Sequence, residues 1–148
     1  MILPYGALIA FYPSNLFEKI VSFFDGKYCH LGICIGDNQI LSMTRRGLLI
    51  QSLDRDYKYR WYDIFEIDCD EVQKKELIKF LLSQMATVKY DFSGIVNFVF
   101  SFIFQNPSKF YCSEFICWGL YYIGLLPERL QLSPLQLVNQ EFIKKIEV

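Results

Sequence analysis

Apolar and polar positions along the chain separate short strands from helices before any other property is considered. Leu8 to Tyr12 is a short apolar run that predicts a strand. Ser14 follows as a cap for a helix whose Leu16, Phe17, Ile20, Val21 and Phe24 share one face, and Asp25-Gly26 ends it. Three β-rich runs come next, Tyr28 to Ile35, Gln39 to Met43 and Gly47 to Leu53. The breaks between them, Gly36-Asp37-Asn38 and Thr44-Arg45-Arg46-Gly47, predict an antiparallel meander. Asp63 to Ile67 adds a strand, and Asp70 caps a helix carrying Val72, Leu77, Phe80, Leu81 and Met85 on its apolar face.

The C-terminal half is more helical. Gly94 to Phe104 reads as a core helix, stopped by Gln105-Asn106-Pro107-Ser108. A further helix begins near Tyr111-Cys112 and runs to Gly124, a residue suited to a left-handed cap. Ser133-Pro134 opens a last short helix, and Phe142 to Ile146 reads as an edge strand. No repeat or linker divides the pattern, so residues 1–148 are expected to form one α+β domain.

Composition narrows the function classes. With 53% hydrophobic residues in a chain of 148, a core can be buried without metal or disulfide support. The charge is near −1 and the basic residues are scattered, which argues against nucleic acid as a partner. The Gly94–Phe104 stretch is about half of the roughly 20 residues a membrane span requires, so no transmembrane segment is expected. The N-terminus has no basic region of the secretory kind, making the cytoplasm the default compartment, with virion packaging or release by lysis as the alternatives. Five cysteines form no CxxC pair and there is one histidine, so reduced thiols are expected and neither metal nor cofactor is implied.

Candidate chemistry then centres on one thiol and one imidazole. Cys112 opens a helix, where unpaired N–H groups favour a thiolate, whereas the other cysteines are expected in strands or mid-helix. His30 is the single histidine, and any Cys/His mechanism must use it. Strand alternation puts His30, Gly32 and Cys34 on one face. If Gly36-Asp37-Asn38 is a three-residue hairpin loop, Ile35 pairs with Gln39, Gly32 lies opposite Ser42, and His30 lies opposite Thr44. The ordinary alternatives are a buried inert thiol and a histidine satisfied on its strand.

Tyr111-Cys112-Ser113-Glu114 resembles the Tyr-Cys-Ser-Glu block of the permuted NlpC-type papain-like cysteine peptidases and amidases, the YiiX-like proteins and relatives of lecithin:retinol acyltransferase. His30-Leu31-Gly32-Ile33-Cys34-Ile35-Gly36-Asp37 is similar to that family's His-bearing strand and turn. Tyr5–Ile9, Lys89–Phe92 and Ser133–Leu137 fit the same pattern, as does the order of His before Cys. The resemblance implies a circularly permuted papain-like fold, an antiparallel sheet packed against helices that include the Cys-bearing one. It also implies a cysteine hydrolase in which Cys112 is the nucleophile and His30 the general base. Tyr111 would serve the substrate or the oxyanion, beside the Cys112 backbone N–H. Lipid acyl transfer or thioester hydrolysis on the same fold is the alternative, so the partner is a peptide, amide or acyl-lipid substrate. Many family members carry an acidic residue at the third catalytic position; here Ser42 stands at the match, with Thr44 the other candidate. That departure supports a rival reading, a catalytically weak binding module.

Overall fold

The computed structural model describes residues 1–16, 18–19, 26–44, 46–90 and 110–147, apart from the side chains of 86–90 and 110–111. Six strands form one antiparallel sheet: β1 (Leu8–Phe11), β2 (His30–Gly36), β3 (Gln39–Thr44), β4 (Gly47–Ser52), β5 (Tyr62–Ile67) and β6 (Ile143–Ile146). Their order across the sheet is β4-β3-β2-β1-β5-β6, with β1 bound on both sides by β2 and β5. Among the described residues the helices are α1 (Leu53–Asp56), α2 (Glu71–Tyr90), α3 (Phe110–Tyr122) and α4 (Pro134–Val138).

The mixed α/β character and the antiparallel meander match the expectation from sequence, and local chemistry explains the element ends. Asp70 Oδ1 accepts the Gln73 N–H at 2.7 Å while the Gln73 side chain accepts the Asp70 N–H, a reciprocal cap on α2. Ser133 and Gln136 make the same box at α4, with Pro134 in its first turn. Gly124, at φ 81°, ends α3.

Several details depart from the sequence reading. The helix near residue 15 is capped by Asn15, whose Oδ1 accepts the Glu18 N–H at 2.8 Å, and not by Ser14. Leu16 there is exposed, and Phe17, Ile20, Val21 and Phe24 lie outside the described residues. The expected Gly94–Phe104 helix lies outside them too. Val72 is 70% exposed, because the buried stripe of α2 runs through Leu77, Ile78 and Leu81. The α1 turn after β4 was not anticipated, and Cys69 sits between β5 and α2 instead of in a regular element.

The sheet separates two apolar clusters. On one face Leu8, Ala10, Leu31, Ile33, Leu41 and Phe65 pack against α2, α3 and α4. On the other, Ile9, Phe11, Cys34, Ile40 and Ile64 are covered by Leu3, Leu53 and Tyr57. The α2–α3 contact is close at Gly119, where a Cβ would stand 2.6 Å from Leu77 and 2.8 Å from Leu81. Gly119→Ala is therefore expected to destabilise the protein by about 1–3 kcal/mol despite the better helix propensity of alanine, as measured by urea denaturation. Among the described residues no helix is long and apolar enough to cross a membrane.

Candidate active site

The hairpin between β2 and β3 sets the site. Asp37 and Asn38 both have positive φ, 48° and 54°, which is the backbone of a two-residue type I′ turn. Gly36 therefore pairs with Gln39, where a three-residue loop was expected. Ile35 is then absorbed as a bulge, after which Cys34 opposes Ile40 and Ile33 opposes Leu41. That is the register the longer loop would have produced. One step further, Gly32 comes beside Ser42, and a Cβ on Gly32 would lie 3.4 Å from the Ser42 Cβ.

Beyond Ile33 the edge of β2 meets a different partner. The Cys34 N–H is donated toward β1, to Ala7 O at 2.8 Å, so alternation turns the Leu31 N–H to the β3 side. There it is donated to Cys112 Sγ at 3.3 Å. The thiol, in the first turn of α3, thus seats against the peptide that joins His30 to Leu31. Cys112 is 1% exposed, and burial pushes its pKa up to about 12, against the N–H groups of Leu31, Ser113 and Cys112 itself, which favour the thiolate.

The imidazole belongs to the opposite face of the sheet. His30 opposes Phe11 and stacks on its ring at 5.8 Å, and Phe11 in turn stacks on Tyr57 at 4.3 Å. Desolvation, aided by the positive charge of Arg60 and opposed by Glu18, draws its pKa down to about 4. At neutral pH the resting pair is therefore a thiol and a neutral imidazole, not an ion pair. The Cys112 thiol reaches the histidine's strand through the hydrogen bond at the Leu31 N–H.

The two candidates for the third position differ sharply. Ser42 is buried, and its Oγ lies 3.5 Å from the Tyr57 hydroxyl, which donates to Gln51 Oε1 at 2.7 Å. The Thr44 hydroxyl is committed to the β3–β4 turn, donating to Gly47 O at 2.9 Å and accepting from Arg46 N–H at 3.1 Å. Tyr111 lies in the first turn of α3, and its side chain is outside the described residues. No disulfide joins any two of the five cysteines.

Sequence reasoning missed the groups around the histidine: Phe11, Tyr57, Arg60 and Glu18. Arg60 bonds Tyr12 O at 3.0 Å and Cys29 Sγ at 3.2 Å, and pairs with Glu18 at 3.2 Å. An isolated Arg in the Lys58–Trp61 stretch gives no periodic or motif signal. The one usable hint was its placement just before the strand expected at Asp63 to Ile67. No family model, curated protein or solved structure matches the chain.

Proposed function

We propose that the chain is a cysteine hydrolase of the permuted papain-like type, a peptidase or amidase in which Cys112 is acylated with His30 as general base. The observation that carries this reading is the seat of the Cys112 sulfur, in the first turn of α3 and 3.3 Å from the N–H that follows His30. The chain order supports it as well, with the histidine strand early and the cysteine helix late against one antiparallel sheet. A neutral imidazole can act as a base at neutral pH without prior formation of an ion pair. On attack at an amide or ester carbonyl, the imidazole must first swing from the Phe11 face to the edge of β2 where the sulfur sits, and the Cys112 proton then passes to it as the sulfur–carbon bond forms. The Cys112 N–H faces the developing oxyanion. His30 then returns the proton to the leaving amine or alkoxide, and water resolves the acyl-enzyme.

Burial of the thiol, 1% exposed with a raised pKa, favours the rival reading of a binding module with weak chemistry. Nitrophenyl acyl esters separate the two. A hydrolase shows a burst of nitrophenolate with the acyl group found on Cys112 by mass spectrometry, and His30→Ala slows that burst by roughly 10²-fold. Acylation of wild-type Cys112 no faster than that of a free thiol, or unchanged in His30→Ala, would leave the binding module standing. An acyl group transferred to an added amine or lipid alcohol instead of water would identify the acyltransferase variant.

A further inference from the structure

Arg60 stands where three parts of the histidine's surroundings meet. Its guanidinium carbon lies 5.7 Å from the centre of the Phe11 ring, the same ring on which His30 stacks. Its Nη2 donates to Tyr12 O, at the end of β1, and to Cys29 Sγ, the residue before His30. That one nitrogen thus holds both strand ends that bracket the imidazole, while Nη1 and Nη2 together face the Glu18 carboxylate, a two-pronged geometry a lysine ammonium does not reproduce. Glu18 holds the guanidinium from outside, its Oε1 and Oε2 at 3.3 and 3.2 Å. The carboxylate is itself fixed by the Ser14 N–H at 2.7 Å and the Ser14 hydroxyl at 2.9 Å. The Arg60 side chain is 20% exposed and that of Glu18 26%, so solvent screens this pair only in part.

We infer that Arg60, braced by Glu18, is a positioning residue for His30 that fixes the start of β2 and presents the imidazole with a fixed positive charge. The inference rests on the reading of His30 as the base. Arg60 disfavours the imidazolium and so weakens the ring as a base, and Glu18 offsets this as the counter-charge once a proton has arrived. The other titratable groups on the elements packed here are the thiols of Cys29 on its own segment and Cys112 on α3, which meets the next residue's N–H, and the Tyr57 hydroxyl beyond Phe11. All three are neutral at neutral pH: burial raises the Cys29 pKa to about 11 and also raises that of Tyr57. Arg60 and Glu18 are therefore the fixed charges that act on the ring, in addition to the desolvation that lowers its pKa most.

With one histidine in the chain, the imidazole C–H resonance in a proton NMR titration reports His30 alone. In wild type it should titrate near pH 4. Arg60→Gln is expected to move the midpoint up by about one unit, and Glu18→Gln to move it down. Arg60→Lys keeps the charge and loses the fork, so its midpoint should stay near wild type while acylation by a nitrophenyl ester slows several-fold. A merely structural arginine would not divide charge from geometry in this way. Circular dichroism checks folding, and Glu18→Gln decides the matter if Arg60→Gln does not fold. Midpoints that remain at the wild-type value in the folded variants overturn the inference. The titration needs no turnover, so shifted midpoints alongside an unreactive Cys112 would sink the hydrolase reading and leave the Arg60 clamp in place.

Discussion

Cys112→Ser and Cys112→Ala are both expected to lower single-turnover acylation at least 10³-fold, yet to differ in stability. The reason lies in the Leu31 N–H, which belongs to a fully buried residue and donates to the sulfur at 3.3 Å. A serine hydroxyl can accept that bond, whereas alanine leaves a buried donor without an acceptor, at a cost of about 1–3 kcal/mol. The loss of rate follows because a hydroxyl is far less readily ionised than a thiol and the neutral His30 is a weak base at about 4. Stopped-flow acylation and urea denaturation of the two variants give the comparison. Equal stability of Ser and Ala variants would mean that the sulfur does not satisfy the strand edge. Residual activity above a hundredth of wild type would mean that Cys112 is not the nucleophile.

Asp63→Asn is expected to cost about 3 kcal/mol of stability, as a nearly buried carboxylate with several charged and hydroxyl partners is removed. Its Oδ2 accepts from the Tyr12 and Tyr28 hydroxyls and from Lys27 at 3.2 Å, while Oδ1 pairs with Lys145 at 3.0 Å. The carboxylate therefore ties β5 to β6, to the chain after β1, and to the segment that leads into His30. Burial works against ionisation here, but Tyr28, Lys145, Tyr12 and Lys27 together hold its pKa well below the ordinary carboxylate range.

The pH dependence separates this group from the histidine. A depressed carboxylate stabilises the fold above its unfolded pKa of about 3.9, and that contribution is lost as pH falls below it. His30 also has a depressed folded pKa, so the unfolded chain takes up its proton first. Its contribution is lost as pH falls from about 6.5, the unfolded value, toward about 4. Denaturation midpoints of wild type should thus decline in two stages on acidification. Asp63→Asn should keep the upper stage and lose most of the lower one; a lower stage unchanged in the variant would remove Asp63 as its source.

Most of the sheet was legible because its determinants are local. Alternation in His30–Gly36 and Gln39–Met43, the Gly and Asp breaks, and the Ser133-Pro134 start each depend on a few adjacent residues. The positions of Cys112 near a helix start and of His30 on a strand were legible for the same reason, although the strand begins at His30 and not at Tyr28 as expected. What surrounds them was not. Phe11 meets His30 through sheet pairing, and Tyr57 stacks on Phe11 from a turn of helix at Leu53–Asp56 that no periodicity announced. Arg60 and Glu18 come together across 42 residues of sequence, and an ion pair at that separation leaves no pattern. The choice between Ser42 and Thr44 was equally non-local. Thr44 is drawn into its own turn by Gly47, a competition between neighbouring hydrogen bonds that register alone does not express.

The bulge at Ile35 acts on the site through parity. With the same two-residue turn and an unbroken ladder, Gly36 opposite Gln39 would bring Gly32 opposite Met43 and His30 opposite residue 45. Every odd side chain of β3 would then share the imidazole's face, and the Ser42 hydroxyl would point into the helices. Absorbing one residue out of the ladder restores even with even. Which β3 residues share the histidine's face is thus decided by how a hairpin stores a single residue, as much as by which residues β3 carries, and a slip of that residue exchanges even positions for odd with no substitution in either strand.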